Sequence, residues 1–154
     1  MCDNEIILQA EYVKDFVCDG QICEDSCCQG GWETYVDKKY YKKIKKVTNP
    51  KLKPKIDRYI RKNKNKSNQD FYATIHHDRD LNQCIFLTTD KLCEIQNSLG
   101  ADYLCDVCMT FPRIISLVDG RYERTLTMAC PLAAEKALLN PEPMAFEQFD
   151  IIPE

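Results

Sequence analysis

Residues 18–32 read CDGQICEDSCCQGGW, and they place Cys18, Cys23, Cys27 and Cys28 within one short stretch. Glycine, aspartate and cysteine dominate it, and neither a helical nor a strand period runs through it, which predicts a loop. Loops allow several thiols to converge on one point, as the thiolate ligands of a metal ion must. We therefore expect the fold to be organised around this cysteine-rich loop.

The other cysteines recur in short groups farther along the chain. Cys84 and Cys93 form one group, Cys105 and Cys108 form a Cys-x2-Cys pair, and Cys130 stands before a helix-like run. In a reduced compartment, clustered thiols more often bind metal or perform redox chemistry than form disulfides. These groups therefore favour a metal site, although a lone cysteine such as Cys105 can also be an ordinary core residue.

Several classes of protein are disfavoured by what the sequence lacks. The first residues, MCDNE, are polar and acidic, so they do not resemble a secretory signal. No stretch reaches the roughly 18 apolar residues of a membrane helix, and no glycine pattern fits a nucleotide-phosphate loop. We therefore expect a cytoplasmic protein that does not enter a membrane. Cys2 stands alone and is expected to be a buried or exposed free thiol.

Positive charge is concentrated in one segment. Residues 38–66 contain 14 of the 21 lysines and arginines and a single acid, Asp57, although the net charge of the chain is −3. Such blocks are usually solvated helix faces, but they can also attract an acidic partner. The acidic balance of the chain as a whole makes nucleic acid an unfavoured partner.

The helix signals are local. Asp37 is predicted to cap a helix over 38–47, and Pro54 suits the first turn of a second helix. Gly100 is predicted to end one helix and Pro131 to open another. These short helices are expected over 90–99, 101–109 and 132–139.

The strand signals complete a mixed fold. Asp119 and Gly120 separate two strand-like runs, which predicts a β-hairpin over 114–126. We expect an α+β fold, a small mixed domain of short helices and this hairpin around the cysteine-rich loops. The cysteine-cluster domain is expected over 1–139 and a linker or tail over 140–154. Additional extended segments are predicted over 5–13 and 71–75.

The donor chemistry narrows the kind of metal site. The only histidines, His76 and His77, are adjacent, and we expect them on the surface or at a strand edge. A metal site here would therefore be almost all thiolate, as in structural zinc or iron–sulfur sites and unlike hydrolytic zinc enzymes. Four thiolates around such a metal centre leave net negative charge, and Arg113 is placed to be its counterion.

The order of the cysteines and their neighbours resembles the flagellin lysine-N-methylase (FliB-type) family. The resemblance rests on Leu104-Cys105-x-x-Cys108-x-x-Phe-Pro-Arg113, on Ala129-Cys130-Pro131, and on the Gly-Trp that follows the first cysteines. It covers roughly residues 8–145 and matches the N-terminal cysteine-rich region of that family. A broader bacterial cysteine-cluster family, described as zinc- or iron-chelating, is similar more loosely.

The resemblance implies a bacterial protein that transfers methyl groups from S-adenosylmethionine to lysines of flagellin. It implies an iron–sulfur cluster of the 4Fe-4S type, or zinc, and this chain would be the metal-binding region of that methyltransferase. We identify neither a general base for lysine nor a pocket for S-adenosylmethionine. The alternative is a non-catalytic zinc- or iron-binding module. The ligands implied are Cys18, Cys23, Cys27, Cys28, Cys84, Cys93, Cys105, Cys108 and Cys130.

Overall fold

The computed structural model describes residues 6–18, 20–21, 23–30, 32–64, 69–142 and 144–150. The chain divides into two compact units. We call Gly20–Met109 the central unit, and Met1–Asp19 together with Thr110–Glu154 the terminal unit. Helices and strands occur in both units, so the predicted mixed α+β class is confirmed.

The helices and strands are short throughout. In chain order they are β1 (Ile6–Ala10), α1 (Glu11–Lys14), β2 (Thr34–Val36), α2 (Lys38–Lys45), α3 (Lys53–Tyr59), β3 (Ile60–Lys62), β4 (Ala73–Ile75), β5 (His77–Asp78), β6 (Gln83–Cys84), α4 (Glu94–Leu99), α5 (Asp106–Thr110), β7 (Arg113–Val118), β8 (Arg121–Leu126), α6 (Pro131–Leu138) and β9 (Phe146–Asp150). A 3₁₀ turn covers Ala101–Tyr103. Within the described ranges, every helix is too short to cross a membrane.

The terminal unit contains a four-stranded sheet in the order β7-β8-β1-β9. β1 pairs in parallel with β8 and antiparallel with β9, so both neighbours of the first strand come from the far end of the chain. We expected a linker or tail over 140–154, but Phe146–Asp150 form an edge strand of this sheet. The prolines that suggested a linker lie outside that strand, at 141, 143 and 153.

The predicted hairpin is confirmed. β7 and β8 are antiparallel, with Val118 opposite Arg121, and Asp119 and Gly120 form the turn. Both turn residues have positive φ, 49° and 77°. That conformation matches the right-handed twist of two strands, and it explains why Asp-Gly is favoured at this position.

A small core supports the terminal sheet. Val13 and Phe16 follow β1 and are buried with Leu126 and Ala133. α6 begins at Pro131 as predicted, because the fixed φ of proline suits the first helical turn. Residues that follow β1 therefore pack against residues of β8 and α6, which are far from them in sequence.

The central unit has two small sheets. β4 lies between β2 and β3 and is antiparallel to both, so Ile75 is opposite Thr34 on one side and Ile60 on the other. β5 and β6 form a separate two-stranded sheet. The strand expected over 71–75 is therefore present as Ala73–Ile75.

Two helices cover the core of the central unit. α2 begins as predicted, with the Asp37 carboxylate accepting a hydrogen bond from the backbone N–H of Tyr40 at 2.8 Å. Ile44, Leu52 and Ile56 are each 0% exposed. Burying a side chain of this size stabilises a fold by about 1.5–3 kcal/mol. The lysine-rich segment thus has an apolar inner face that holds it to the core.

Two predicted helices differ in extent from their sequence signals. The helix expected over 90–99 begins only at Glu94, and it ends at Gly100, which has a φ of 92°. The helix expected over 101–109 is divided, because Leu104 is extended with a ψ of 150°. A 3₁₀ turn precedes Leu104 and α5 follows it, which leaves Cys105 just before the first turn of α5.

Candidate metal centre

Seven of the nine predicted ligands belong to the central unit. The loop 23–30 carries three of them, and β6 and the start of α4 carry one each. Cys105 is part of the hydrophobic core, whereas Cys84 and Cys93 are half-buried and pack against it. The core therefore fixes the positions of these three sulfur atoms. The seven are Cys23, Cys27, Cys28, Cys84, Cys93, Cys105 and Cys108.

Backbone hydrogen bonds hold the cysteine loop beside β6. Gln29 forms an antiparallel bridge with Gln83. The Cys84 N–H donates to the Cys28 carbonyl at 2.6 Å, and a second bond joins the Gly30 N–H to the Asn82 carbonyl at 3.0 Å. These two bonds flank the bridge, so Cys28 lies directly opposite Cys84.

Cys27 and Cys28 are joined by a hydrogen bond between their side chains. A hydrogen bond from the Cys27 thiol lowers the pKa of Cys28, and the Ser26 hydroxyl acts in the same direction. The same bond, together with burial, raises the pKa of Cys27 above its usual range. Cys28 is therefore the member of the pair that is poised to be a thiolate.

The Cys-x2-Cys pair behaves in the same way. The Cys108 thiol donates to Cys105 and lowers its pKa, and the backbone N–H of Cys108 adds to that effect. The pKa of Cys108 is raised in return, first by this hydrogen bond and then by burial. Two thiols held together in this way could serve as a bidentate pair of metal ligands.

Cys84 and Cys93 are held as neutral thiols by their surroundings. Burial raises the pKa of Cys84 to about 11, and the backbone N–H of Phe86 opposes that rise. Burial also raises the pKa of Cys93, opposed by the backbone N–H groups of Gln96 and Ile95. A cation bound nearby would reverse these shifts, because a coordinated thiol is deprotonated.

Six of these thiols interact electrostatically. Cys84 and Cys93 each raise the pKa of Cys28, and Cys28 and Cys84 act on Cys108. Cys93 is also affected by Cys105. The two thiol pairs and the two single thiols therefore lie in one region of the central unit.

Tyr40 is a neighbour of this region that the sequence analysis did not identify. It is buried, and its pKa is raised by that burial and by the nearby thiols of Cys105, Cys108, Cys93 and Cys84. A buried phenol beside several thiols can donate a hydrogen bond to a thiolate. Tyr40 lies four residues before Ile44 on α2, so helical spacing could have indicated that it faces the core.

Three predicted residues belong to the terminal unit. Cys18 is exposed and Cys130 is buried, and both belong to the terminal unit. Arg113, also in that unit, donates to the Phe16 carbonyl at 2.9 Å and lies over the Phe16 ring. Its role as a counterion stays a prediction.

In the central unit, the Cys23 carbonyl accepts a hydrogen bond from Lys91 at 3.0 Å.

The thiols approach as pairs and not as a closed set of ligands. Over the described ranges, no three His, Cys, Asp or Glu side chains are arranged to hold a metal ion. The chemistry of the donors nevertheless fits thiolate-binding metals, since soft sulfur ligands select zinc, copper(I) and iron–sulfur clusters. Two described carboxylates near the lysine-rich segment pair with lysines instead, Asp57 with Lys53 at 3.0 Å and Glu94 with Lys55 at 2.6 Å.

Curated proteins that resemble this chain define its class. The flagellar biosynthetic protein FliU of Salmonella muenchen is 31% identical over 140 residues, which are 90% of this chain and 80% of that protein. The chain therefore belongs to the lysine-N-methylase (FliB-type) family, as its cysteine pattern indicated.

Two further relatives carry the name of the enzyme. The lysine-N-methylases of Salmonella choleraesuis (strain SC-B67) and Salmonella typhimurium (strain LT2) are each 31% identical over 147 residues, which are 95% of this chain and 36% of the relative. The chain thus spans about a third of the length of these enzymes. No family profile matches the chain. No solved structure matches it either.

Proposed function

We propose that this chain forms the metal-binding part of a cytoplasmic lysine N-methylase that acts on flagellin. Membership of the family supports methyl transfer, and the relative named for flagellar biosynthesis supports a flagellar substrate. The observation that carries the metal part is the pairing of cysteine side chains by hydrogen bonds, Cys27 with Cys28 and Cys105 with Cys108. They lie within electrostatic reach of Cys84.

In this proposal the thiolates of the central unit hold an iron–sulfur cluster of the 4Fe-4S type. Such clusters take four cysteine ligands, and hydrogen bonds to sulfur tune their reduction potential. The Phe86 N–H, which stabilises charge on the Cys84 sulfur, would supply one such bond. Cys18, Cys23 and Cys130 remain candidate ligands by family pattern.

Anaerobic purification with metal analysis tests the cluster. We expect a brown protein with broad visible absorption and with iron and acid-labile sulfide in equal amounts. Cys28→Ala and Cys105→Ala should each lower the iron content, and Cys2→Ala is the matched control because Cys2 is outside every cysteine group. A colourless protein without iron would rule out the cluster.

The transferase part requires a separate assay. The neutral lysine nitrogen attacks the methyl carbon of S-adenosylmethionine, the carbon–sulfur bond breaks, S-adenosylhomocysteine leaves, and the nitrogen loses a proton. Lysine has a pKa of about 10.4 in water, so a methylase must supply a way to deprotonate it. We expect methylated flagellin, detected by mass, when the cofactor and flagellin are incubated with the chain. Absence of methylation with the cluster intact would restrict the chain to a supporting role.

A second candidate function is a non-catalytic zinc module. It is supported by Cys84, Cys93 and Cys105, which lie in or against the hydrophobic core, so that a metal there would add directly to folding stability. We expect one or two zinc ions per chain in this case, and a chelator should unfold the central unit. Full retention of secondary structure after metal removal would exclude this function.

A third candidate is recognition of an acidic partner by the lysine-rich segment. Lys45 and Lys53 both pair with Asp57, at 3.3 and 3.0 Å, whereas Lys39 and Lys42 are exposed on α2. Binding to immobilised polyglutamate should fall steeply as salt is raised. Lys39→Glu combined with Lys42→Glu should abolish it, and Lys136→Glu in the terminal unit is the control. Binding that is insensitive to salt would contradict this interpretation.

A further inference from the structure

One ring nitrogen of His77 has no hydrogen-bond partner among the described residues. This nitrogen is Nδ1, and it is buried. The other ring nitrogen, Nε2, lies 3.5 Å from the Thr34 hydroxyl oxygen. A buried polar atom without a partner is unfavourable, so an orphaned nitrogen of this kind indicates a ligand, an ion or a water that occupies the site. The adjacent His76 is exposed and lacks this feature.

The backbone places His77 in line with two cysteines. His77 is paired with Cys84 in the β5–β6 ladder. On the other side of β6, Cys84 lies opposite Cys28, because two backbone hydrogen bonds flank the Gln29–Gln83 bridge and fix that register. Residues directly opposite each other project from the same face, and neighbouring strands are about 4.8 Å apart. Cys28, Cys84 and His77 therefore lie in one row on one face, and a metal ion would have to draw their side chains together to bind all three.

We propose that His77 is a ligand of the metal held by the central-unit cysteines and binds it through Nδ1. This inference rests on the metal-binding part of the proposed function and deepens it. A neutral imidazole has one protonated and one free nitrogen, and a ligating histidine usually donates its other N–H to a nearby acceptor. In this proposal the Thr34 hydroxyl oxygen, 3.5 Å from Nε2, accepts that N–H, which leaves the lone pair on Nδ1.

The inference changes the chemistry expected of the site. A row with two sulfur atoms and one nitrogen is a mixed donor set, not an all-thiolate one. Both zinc and iron–sulfur clusters accept imidazole beside thiolate. Both histidines are expected from the sequence to lie on the surface or at a strand edge. His77 is indeed on a short strand, but the register of that strand makes its side chain a neighbour of Cys84.

Pulsed electron paramagnetic resonance on the anaerobically purified, reduced protein is the test. Histidine labelled with ¹⁵N reports directly whether an imidazole nitrogen is bound to the paramagnetic metal. We expect nitrogen coupling in the native chain and in His76→Ala, and none in His77→Ala. If the native chain contains zinc, replacement by cobalt(II) makes the site visible, and the absorption bands should shift in His77→Ala but not in His76→Ala.

A second variant separates ligation from folding. His77→Cys supplies a thiolate in place of the imidazole, so it should keep the metal content while the nitrogen coupling disappears. A native protein that binds metal and shows no nitrogen coupling, or no shift of the cobalt bands, would overturn the inference and leave the proposed function standing. A native protein that binds no metal would overturn both.

Discussion

The backbone N–H of Cys84 donates to the carbonyl oxygen of Cys28 at 2.6 Å, so a loop cysteine and a strand cysteine are joined through their main chains. Their sulfur atoms are therefore kept near each other without any bond between them. Because the hydrogen bond does not involve sulfur, the arrangement does not depend on a bound metal. It follows that the thiol chemistry of the metal-free protein can be tested directly.

The first prediction concerns thiol reactivity. A hydrogen bond from Cys27 lowers the pKa of Cys28 from its ordinary value of 9.0. Cys27→Ala should therefore raise the pKa of Cys28 and slow the alkylation of Cys28 at any pH below 9.0. The rate follows the thiolate fraction, which changes about tenfold for each pKa unit. The alkylation rate of Cys28 is measured by mass spectrometry after the protein is stripped of metal with a chelator and treated with iodoacetamide for set times. An unchanged rate in Cys27→Ala would show that the hydrogen bond from Cys27 to Cys28 does not form in solution.

The second prediction concerns alkaline stability of the metal-free chain. Burial raises the pKa of Cys84 from 9.0 to about 11, so the unfolded chain loses this proton at lower pH than the folded chain does. The contribution of Cys84 to the free energy of unfolding is therefore fully present below pH 9.0 and falls as the pH rises to about 11. The difference in free energy of unfolding between native protein and Cys84→Ala should therefore narrow over that range, as measured by urea titrations. A constant difference would mean that Cys84 is not buried as a neutral thiol.

The third prediction concerns the start of α2. The Asp37 side chain satisfies one backbone N–H at the helix N-terminus, so Asp37→Ala should lower the free energy of unfolding by about 1 kcal/mol. Asp37→Ser retains an acceptor and should lower it much less. Urea unfolding followed by circular dichroism compares the two. Equal losses in both variants would indicate that the charge of Asp37, not its capping bond, is what matters.

The fourth prediction concerns the core beneath the lysine-rich segment. Ile44 is 0% exposed, and Ile44→Ala should destabilise the central unit by about 2–5 kcal/mol through lost burial and the cavity left behind. Lys42 is exposed on the same helix, so Lys42→Ala is the control and should change stability by about 0.5 kcal/mol or less. The midpoint of urea unfolding reports both effects. Similar midpoints for the two variants would contradict the packing of α2 against this core.

Much of the local structure was predictable because its signals are local. The Asp37 cap, the Asp-Gly turn and the proline that begins α6 each depend on the chemistry of one or two residues. Strand partners are different, since they are decided by contacts between distant parts of the chain. The pairing of β1 with β8 and β9, and the strand within 146–150, depend on contacts across more than a hundred residues. Turn and propensity signals do not contain that information.

The candidate site was predictable in composition but not in arrangement. Spacing identified the cysteines, and the structure brings six of them within electrostatic reach in the central unit. Spacing could not identify His77, because its relation to Cys84 comes from strand register. The sequence HDRDLNQC does contain a usable signal, since a hairpin turn at its centre makes its first and last residues partners.

The parallel pairing of β1 with β8 also has a consequence for synthesis of the chain. The central unit is one continuous stretch, Gly20–Met109, so all of its partners have been made before the ribosome reaches β7. β1 is translated before the central unit, yet its sheet cannot form until β8 and β9 exist. A domain can fold once all of its residues have been synthesised, so the cysteine loop can pack in the central unit before β8 and β9 are available to pair with β1.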